Sequence, residues 1–366
     1  MTQLDFFPSR RLTIYLAKLF VARILAVLVM LVLVLMMLDL LAQTGEILAV
    51  PGNGQGEVLK YAALRIPQLI KQFLPYSVLL ATLITLVGLN QNSEVIAMKA
   101  AGMSAHQVLA PLLLVAVIVA GASFAFNERI VTRSTATLKA WEANEFGAIP
   151  PDSAVRANLY LTDGSDILMA RSVTGTGADI AMQGVTYYRR SPSGTIAQQY
   201  DADRATYAAP GWRLQDATGF DVAEVATRQL PSVVVGQAIT PEQVDLESVD
   251  PDATPFWELT GFIDAYERVG RRTSELEAKW WHKLSGPLSS VLMPLLGSIA
   301  AFGLARSGQL FVRAVIGMAL GFAYFVIDNA ALAMGSFGGY PPLLAAWAPF
   351  VLFLLLGETV LVRTEE

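Results

Sequence analysis

Long apolar stretches are the feature that most constrains this chain. An α-helix needs about 20 apolar residues to cross the hydrocarbon of a bilayer. Six segments reach or approach that length, in two groups of three. They are Leu19–Leu41, Phe73–Leu89, Val108–Phe126, Leu284–Leu304, Ala314–Met334 and Leu343–Val362. The sequence therefore predicts an α-helical membrane protein with six transmembrane helices in two halves.

Charged residues concentrate between these halves. Residues 127–283 hold 15 of the 26 Lys and Arg residues and 22 of the 31 Asp and Glu residues. That density is typical of a soluble domain, so we divide the chain into 1–126, an inserted domain at 127–283, and 284–366. The acidic insert argues against a nucleic-acid partner. With no Cys and only two His residues, we expect no disulfide and no metal site.

The short loops predict how the chain lies in the membrane, because Lys and Arg accumulate on the cytoplasmic side. With the N-terminus inside, inner short segments hold seven Lys or Arg residues and outer ones three. This favours a multi-pass protein of the bacterial inner membrane with both termini cytoplasmic and the insert periplasmic. Trp280 and Trp281, flanked by Lys279 and Lys283, are typical of a membrane interface.

Short alternating segments predict that the centre of the insert is β structure. Seven candidate strands lie at about 150–240, the fifth and sixth being Trp212–Thr218 and Phe220–Ala226, and they are separated by turn signals such as Asp163-Gly164. Their spacing predicts an antiparallel sandwich or β-jellyroll-like domain, with a helix on each side. Ser274-x-x-Glu277 predicts a capping box at the start of the helix that enters the fourth span.

Motifs for catalysis or nucleotide binding are absent from the sequence, including the P-loop, GxSxG and HExxH patterns. We therefore expect no catalytic site and no cofactor in this chain. Asp39, Asp328 and Glu358 are the acidic residues that fall inside predicted spans. Asp328 with Asp39 leaves a proton-coupled role open, and a hydrogen-bonded structural role is the alternative.

Two groups of cationic side chains lie at the predicted outer rim. Arg65, Gln68 and Lys71 recur at helical spacing before the second span, and Arg129 and Arg133 are four residues apart after the third. Such stripes suit an anionic, phosphate-bearing amphiphile. Anchoring to lipid headgroups is the alternative.

The loop between the second and third spans contains a short amphipathic helix. It is predicted over Ser93–Ala101 and ends at Gly102. Glu94 and Met98 are four residues apart and share a face. The helix either lies on the membrane surface or docks into a partner protein.

This loop also carries a family resemblance. Its sequence SEVIAMKAAGMS (93–104) resembles the corresponding segment of the LptF/LptG (YjgP/YjgQ) permease family. The resemblance covers nearly the whole chain, with the same order of three spans, a domain and three spans, and the C-terminal segment is most similar to LptG. Further resembling segments lie at 12–16, 65–67, 74–75, 281–287, 303–308 and 340–349.

The resemblance implies a permease subunit of an ATP-driven exporter that extracts lipopolysaccharide from the inner membrane and passes it to a periplasmic protein bridge. ATP and Mg would be bound by a separate chain. The implied partners are an LptF-like permease, an LptB-like ATPase dimer, an LptC-like single-span protein and an LptA-like periplasmic bridge.

The resemblance also gives roles to the candidate residues. Coupling to the ATPase is expected at Glu94, Met98 and Gly102. Lipid phosphates and sugars are expected at the cationic residues Arg65, Lys71, Arg129 and Arg133. Acyl chains are expected along the inward face of the β domain, for which strand alternation selects Tyr160, Leu168, Val185, Tyr187, Trp212 and Leu214.

Three alternatives remain open at this point. The first is that the chain is the LptF-like partner. The second is a stand-alone secondary transporter that uses Asp328, and the third is a membrane-anchored periplasmic scaffold without an ATPase. Co-purification with an ATPase and a second six-span chain distinguishes a permease subunit from the last two.

Overall fold

The computed structural model describes residues 7–147, 156–175, 179–191, 194–247, 249–268, 271–302 and 310–363. Helices occupy both ends of the chain, and a β-sheet occupies the middle. The helices are α1 (Arg10–Ala49), α2 (Gln55–Gln91), α3 (Glu94–Ala100), α4 (Ala105–Phe126), α5 (Thr132–Ala143), α6 (Pro241–Glu247), α7 (Phe256–Arg268), α8 (Ser274–Phe302), α9 (Leu310–Ser336) and α10 (Pro342–Arg363). The strands are β1 (Arg156–Asp163), β2 (Asp166–Thr174), β3 (Ala181–Arg190), β4 (Ile196–Ala208), β5 (Gly211–Asp221) and β6 (Ala226–Val235).

Five helical segments are long and apolar enough to cross a membrane. They are α1, α2, the continuous helix Ala105–Ala143, residues Val315–Ser336 of α9, and α10. Each overlaps one predicted span, so five of the six predictions are confirmed as membrane-capable helices. The other predicted span, Leu284–Leu304, begins inside α8 and ends outside the described residues.

Glycine lets the membrane helices approach closely. α8 packs against α2, α4, α9 and α10. A Cβ atom on Gly321 of α9 would lie 2.2 Å from Cδ2 of Leu79 in α2, and one on Gly335 would lie 2.3 Å from Cβ of Ala345 in α10. Both distances are too short for non-bonded carbon atoms. At Gly321 the flexible Leu79 side chain would have to move, whereas at Gly335 the close atom is fixed to the backbone, so α9 and α10 depend on having no side chain there.

The six strands form one antiparallel sheet in chain order, β1 to β6. The antiparallel prediction is confirmed, as is the turn at Gly164, which has a φ of +64° between the paired residues Asp163 and Asp166. The order within the described residues is a meander, whereas a jelly roll contains Greek-key connections. Strand spacing predicted the elements but not how they are connected.

The number of strands also differs from the prediction. Trp212–Thr218 and Phe220–Ala226 were expected as separate strands, but β5 runs unbroken from Gly211 to Asp221. Gly219 lies inside it, and a Cβ atom there would be 3.2 Å from the ring of Tyr200 on β4. This glycine permits close cross-strand packing and does not end the strand.

One face of the sheet is buried in the domain's own core, with Ile239 and Val244 of the following segment. Tyr160 was expected inward, but it is 47% exposed, while Leu159 and Leu161 are buried. A shift of one residue exchanges the faces of a strand, and that error occurred on β1. The inward prediction is confirmed for Leu168, Val185, Tyr187, Trp212 and Leu214.

Glu128 joins the membrane helices to the segment that follows the sheet. It lies in a π-helical turn, Asn127–Val131, between α4 and α5. Its Oε1 accepts a hydrogen bond from Nζ of Lys283 in α8 at 3.4 Å, and its Oε2 accepts one from the backbone N–H of Phe256. Because Phe256 begins α7, the Glu128 carboxylate caps a helix end that has no partner of its own.

The start of α8 differs from the predicted capping box by one residue. The hydroxyl of Thr273, not that of Ser274, donates to Oε1 of Glu277. The backbone N–H of Glu277 donates to the carbonyl oxygen of Thr273 at 2.8 Å. Both residues carry a hydroxyl that can cap a helix, so the sequence alone did not distinguish them.

Candidate functional site

An apolar groove of about 310 Å³ lies between α1, α2 and α4. Nearly all of its surface is hydrocarbon, which suits an acyl chain better than a polar molecule. Its lining residues are Val21, Ile24, Leu25, Leu28, Ile70, Leu74, Val119, Ala122, Ser123 and Phe126.

Arg129 and Arg133 follow the end of this groove along the chain. Phe126 lines the groove and is the last residue of α4, so Arg129 lies roughly 5 Å further along the helix axis. Both arginine side chains are exposed, and neither forms an ion pair within the described parts of the chain. Their guanidinium groups are therefore available to a phosphate.

Arg65 is engaged inside the chain. Its Nε lies 3.2 Å from Oδ2 of Asp39, and its Nη1 donates to Gln68 at 2.7 Å. The same Asp39 oxygen accepts a hydrogen bond of 2.7 Å from the hydroxyl of Tyr61. The sequence did not predict the ion pair between Asp39 and Arg65, because the two residues come together only when α1 packs against α2.

Lys71 lies within electrostatic range of acidic groups. It is half-buried, and it interacts electrostatically with Asp252, which forms an ion pair of 3.0 Å with Lys279. Burial raises the pKa of the Asp252 carboxyl, but the opposite effect of Lys279 and Lys71 together is larger. The pKa therefore lies below its ordinary value. Asp252 is therefore the charged partner of both lysines.

The predicted loop helix is confirmed as α3, and Gly102 follows it with a φ of +83°. The face expected to bind a partner packs partly within the chain. Met98 is 8% exposed and packs with Val95 into the core of the membrane helices, and Glu94 accepts a hydrogen bond of 3.1 Å from the hydroxyl of Tyr15. The side chain that points outward is Ile96, 54% exposed. A spacing of four residues places two side chains on the same face of a helix, but it does not show whether that face is buried or exposed.

Tyr187 and Trp212 are buried in the core of the sheet. The hydroxyl of Tyr187 donates to Asp166 at 3.0 Å, and Nε1 of Trp212 donates to the carbonyl oxygen of Ile239 at 3.0 Å. In this packing both rings are buried, so the expected acyl contacts require the sheet to open and stay a prediction. Strand alternation cannot distinguish a closed core from an open groove.

The acidic residues of the other spans meet the two histidines. Nε2 of His282 lies 3.9 Å from Oδ2 of Asp328, and Nε2 of His106 lies 3.3 Å from Oε2 of Glu358. Asp39, the residue considered as a partner of Asp328, is bound to Arg65 instead. Among the described residues, no group of three or more potential ligands could hold a metal ion.

Comparison with known proteins gives a consistent result. Residues 14–363 match the family described as lipopolysaccharide export system permease LptF/LptG. The chain is 24% identical over 322 residues to the lipopolysaccharide export system permease protein LptG of Escherichia coli strain K12, covering 85% of this chain and 88% of that protein. It is 24% identical over 317 residues to LptG of Haemophilus influenzae strain Rd, covering 84% and 86%. The chain belongs to the LptF/LptG family of lipopolysaccharide export system permeases.

Proposed function

We propose that this chain is an LptG-type permease subunit of an ATP-driven exporter, which extracts lipopolysaccharide from the inner membrane and passes it to a periplasmic protein bridge. The observation that carries the proposal is the family match over residues 14–363, joined by relatives of which the chain covers nearly nine-tenths. α8 supplies the sixth span, and the sheet lies in the periplasm with both termini in the cytoplasm.

Co-purification in mild detergent tests this assembly. An LptG-type subunit brings a second six-span permease and two copies of an ATPase, and in the cell it works with an LptC-like protein and an LptA-like bridge. Recovery of a chain without any ATPase contradicts the proposal and favours a stand-alone carrier or scaffold. If a partner with stronger LptG character is recovered, this chain takes the LptF role.

Lipid enters along Arg129, Arg133 and the apolar groove between α1, α2 and α4. The arginines bind phosphate, and the groove takes hydrocarbon. Arg65 contributes only when a phosphate replaces its carboxylate partner Asp39, and Lys71 only when a phosphate competes with the nearby charge of Asp252. Lipid then leaves along the sheet, whose edge strands β1 and β6 can accept strands from a neighbouring protein.

Photocrosslinking tests the entry path. A crosslinker in place of Arg133 is expected to capture lipopolysaccharide, whereas one in place of Leu352, an exposed residue of α10, is the lipid-facing control. Equal capture at the two positions contradicts the proposal. In a transport assay, Arg129→Glu with Arg133→Glu is expected to lower lipid release, and Arg272→Glu, an exposed residue just before α8, is the control for added charge.

The ATPase docks on the outward side of α3. Ile96 is the apolar side chain exposed there, and Met98 and Glu94 hold the helix against the bundle. Ile96→Asp is expected to reduce ATPase assembly without unfolding the chain. The matched control is Ile196→Asp, an exposed isoleucine at the start of β4. Full ATPase binding by Ile96→Asp contradicts this docking face.

A further inference from the structure

Three helices mark the same membrane boundary on the side of the sheet. The apolar run of α4 ends at Phe126 and is followed by Asn127 and Glu128. In α8 the change from polar to apolar residues occurs at Trp280 and Trp281. α9 ends at Ser336. These positions give the level at which the bundle passes from hydrocarbon to water.

The first turn of α7 is fixed at this level. The ring of Phe256 stacks on Trp280 at 4.6 Å and meets the edge of Phe124, near the end of α4, at 6.0 Å. Glu128 accepts a hydrogen bond from its backbone N–H. α7 therefore begins at the boundary, held by side chains of two membrane helices.

Large aromatic side chains are exposed at the same level. Trp257, the second residue of α7, is 75% exposed, and Phe337, the residue after α9, is 84% exposed. Further along α7 the exposed residues are polar, including Asp264 and Glu267. Exposure of the apolar Trp257 ring to water is unfavourable. At a bilayer interface, a Trp ring places its apolar body against hydrocarbon and its N–H against the polar headgroups.

We propose that the first turn of α7 is a membrane-interface anchor whose ligand is the phospholipid headgroup region of the leaflet on the sheet side. Trp257 and Phe337 insert into that region, while Asp264 and Glu267 remain in water. The helix thereby lies on the membrane and fixes the height of the segment that connects the sheet to α8. Lipid is the expected ligand because of the depth of both aromatics: Phe337 follows the end of α9, and Trp257 follows Phe256, which packs against the end of α4.

The natural absence of Cys allows a direct test in the full-length chain. Single cysteines at Trp257→Cys, Phe337→Cys, Asp264→Cys and Glu267→Cys are spin-labelled, and the protein is placed in vesicles of phosphatidylethanolamine and phosphatidylglycerol. The ratio of oxygen access to access by a water-soluble nickel complex is expected to be several-fold higher at 257 and 337 than at the two acidic positions.

Two results overturn the proposal. A label at 257 that is as accessible to nickel as the one at 264 places the turn in water. An immobile label that neither reagent reaches shows that a protein partner covers it. A second measurement avoids dependence on labelled variants: phospholipids brominated near the headgroup are expected to quench unsubstituted protein more than Trp257→Phe, and equal quenching contradicts the anchor.

Discussion

The membrane bundle and the sheet domain are held together in different ways. The helices meet through positions without side chains, such as Gly321 against Leu79 and Gly335 against Ala345. The sheet is filled by large side chains, with Trp212 fully buried in its core. The difference has a physical cause. Lipid is as apolar as a leucine side chain, so membrane helices gain by close contact, whereas the sheet gains by removing apolar surface from water.

Trp212→Ala is expected to have the largest effect, because it destabilises the sheet without destabilising the membrane helices. Removing a fully buried Trp leaves a cavity and costs about 3 to 5 kcal/mol, concentrated in the sheet. We expect protease cleavage between residues 156 and 235 at a lower temperature, with the membrane helices still protected. Tyr160→Ala, on the exposed face of β1, is the control. Equal sensitivity of the two variants contradicts the description of the core.

Lys283→Met tests the junction between the two regions. It leaves the buried carboxylate of Glu128 without its cation, a change that costs about 3 to 5 kcal/mol for buried pairs. The melting temperature in detergent should fall. Adding Glu128→Gln should restore part of the loss, because the uncompensated charge is then gone. No recovery in the double variant means that the pair is not coupled.

Gly335→Ala sharpens the account of helix packing. The added methyl would lie 2.3 Å from Cβ of Ala345, an atom fixed to the backbone, so α9 and α10 must separate. We expect a loss of about 1 to 3 kcal/mol, typical of overpacking. Gly121→Ala in α4 meets no atom within 4 Å and should be neutral or slightly stabilising by thermal unfolding. Equal effects of the two substitutions contradict the packing argument.

Arg228→Ala is expected to have the smallest effect. Arg228 and Glu224 form an exposed ion pair, and such pairs contribute about 0.2 to 1 kcal/mol. Its removal should leave the melting temperature nearly unchanged, in contrast to Lys283→Met. A loss comparable to that of Lys283→Met would show that burial does not decide the strength of these pairs.

Local periodicity predicted much of the structure. Five spans, α3 with Gly102, and the inward side of three strands follow from patterns of two and 3.6 residues. The differences have a common origin. Tyr160 was placed on a correct pattern but given the wrong direction, and Met98, expected to face a partner, is buried within the chain. A pattern gives the relative positions of side chains within one element, and the direction depends on what packs against it.

The sequence by itself determined the class of the protein: apolar runs long enough to cross a bilayer, an acidic insert of β structure, and the segments shared with one permease family. These are properties of neighbouring residues. The tertiary structure decided which charges are available. Asp39 and Arg65 are 26 residues apart and pair only because α1 and α2 pack together, while Arg129 and Arg133 remain exposed. Charge pairing depends on distances in space, which no local pattern contains.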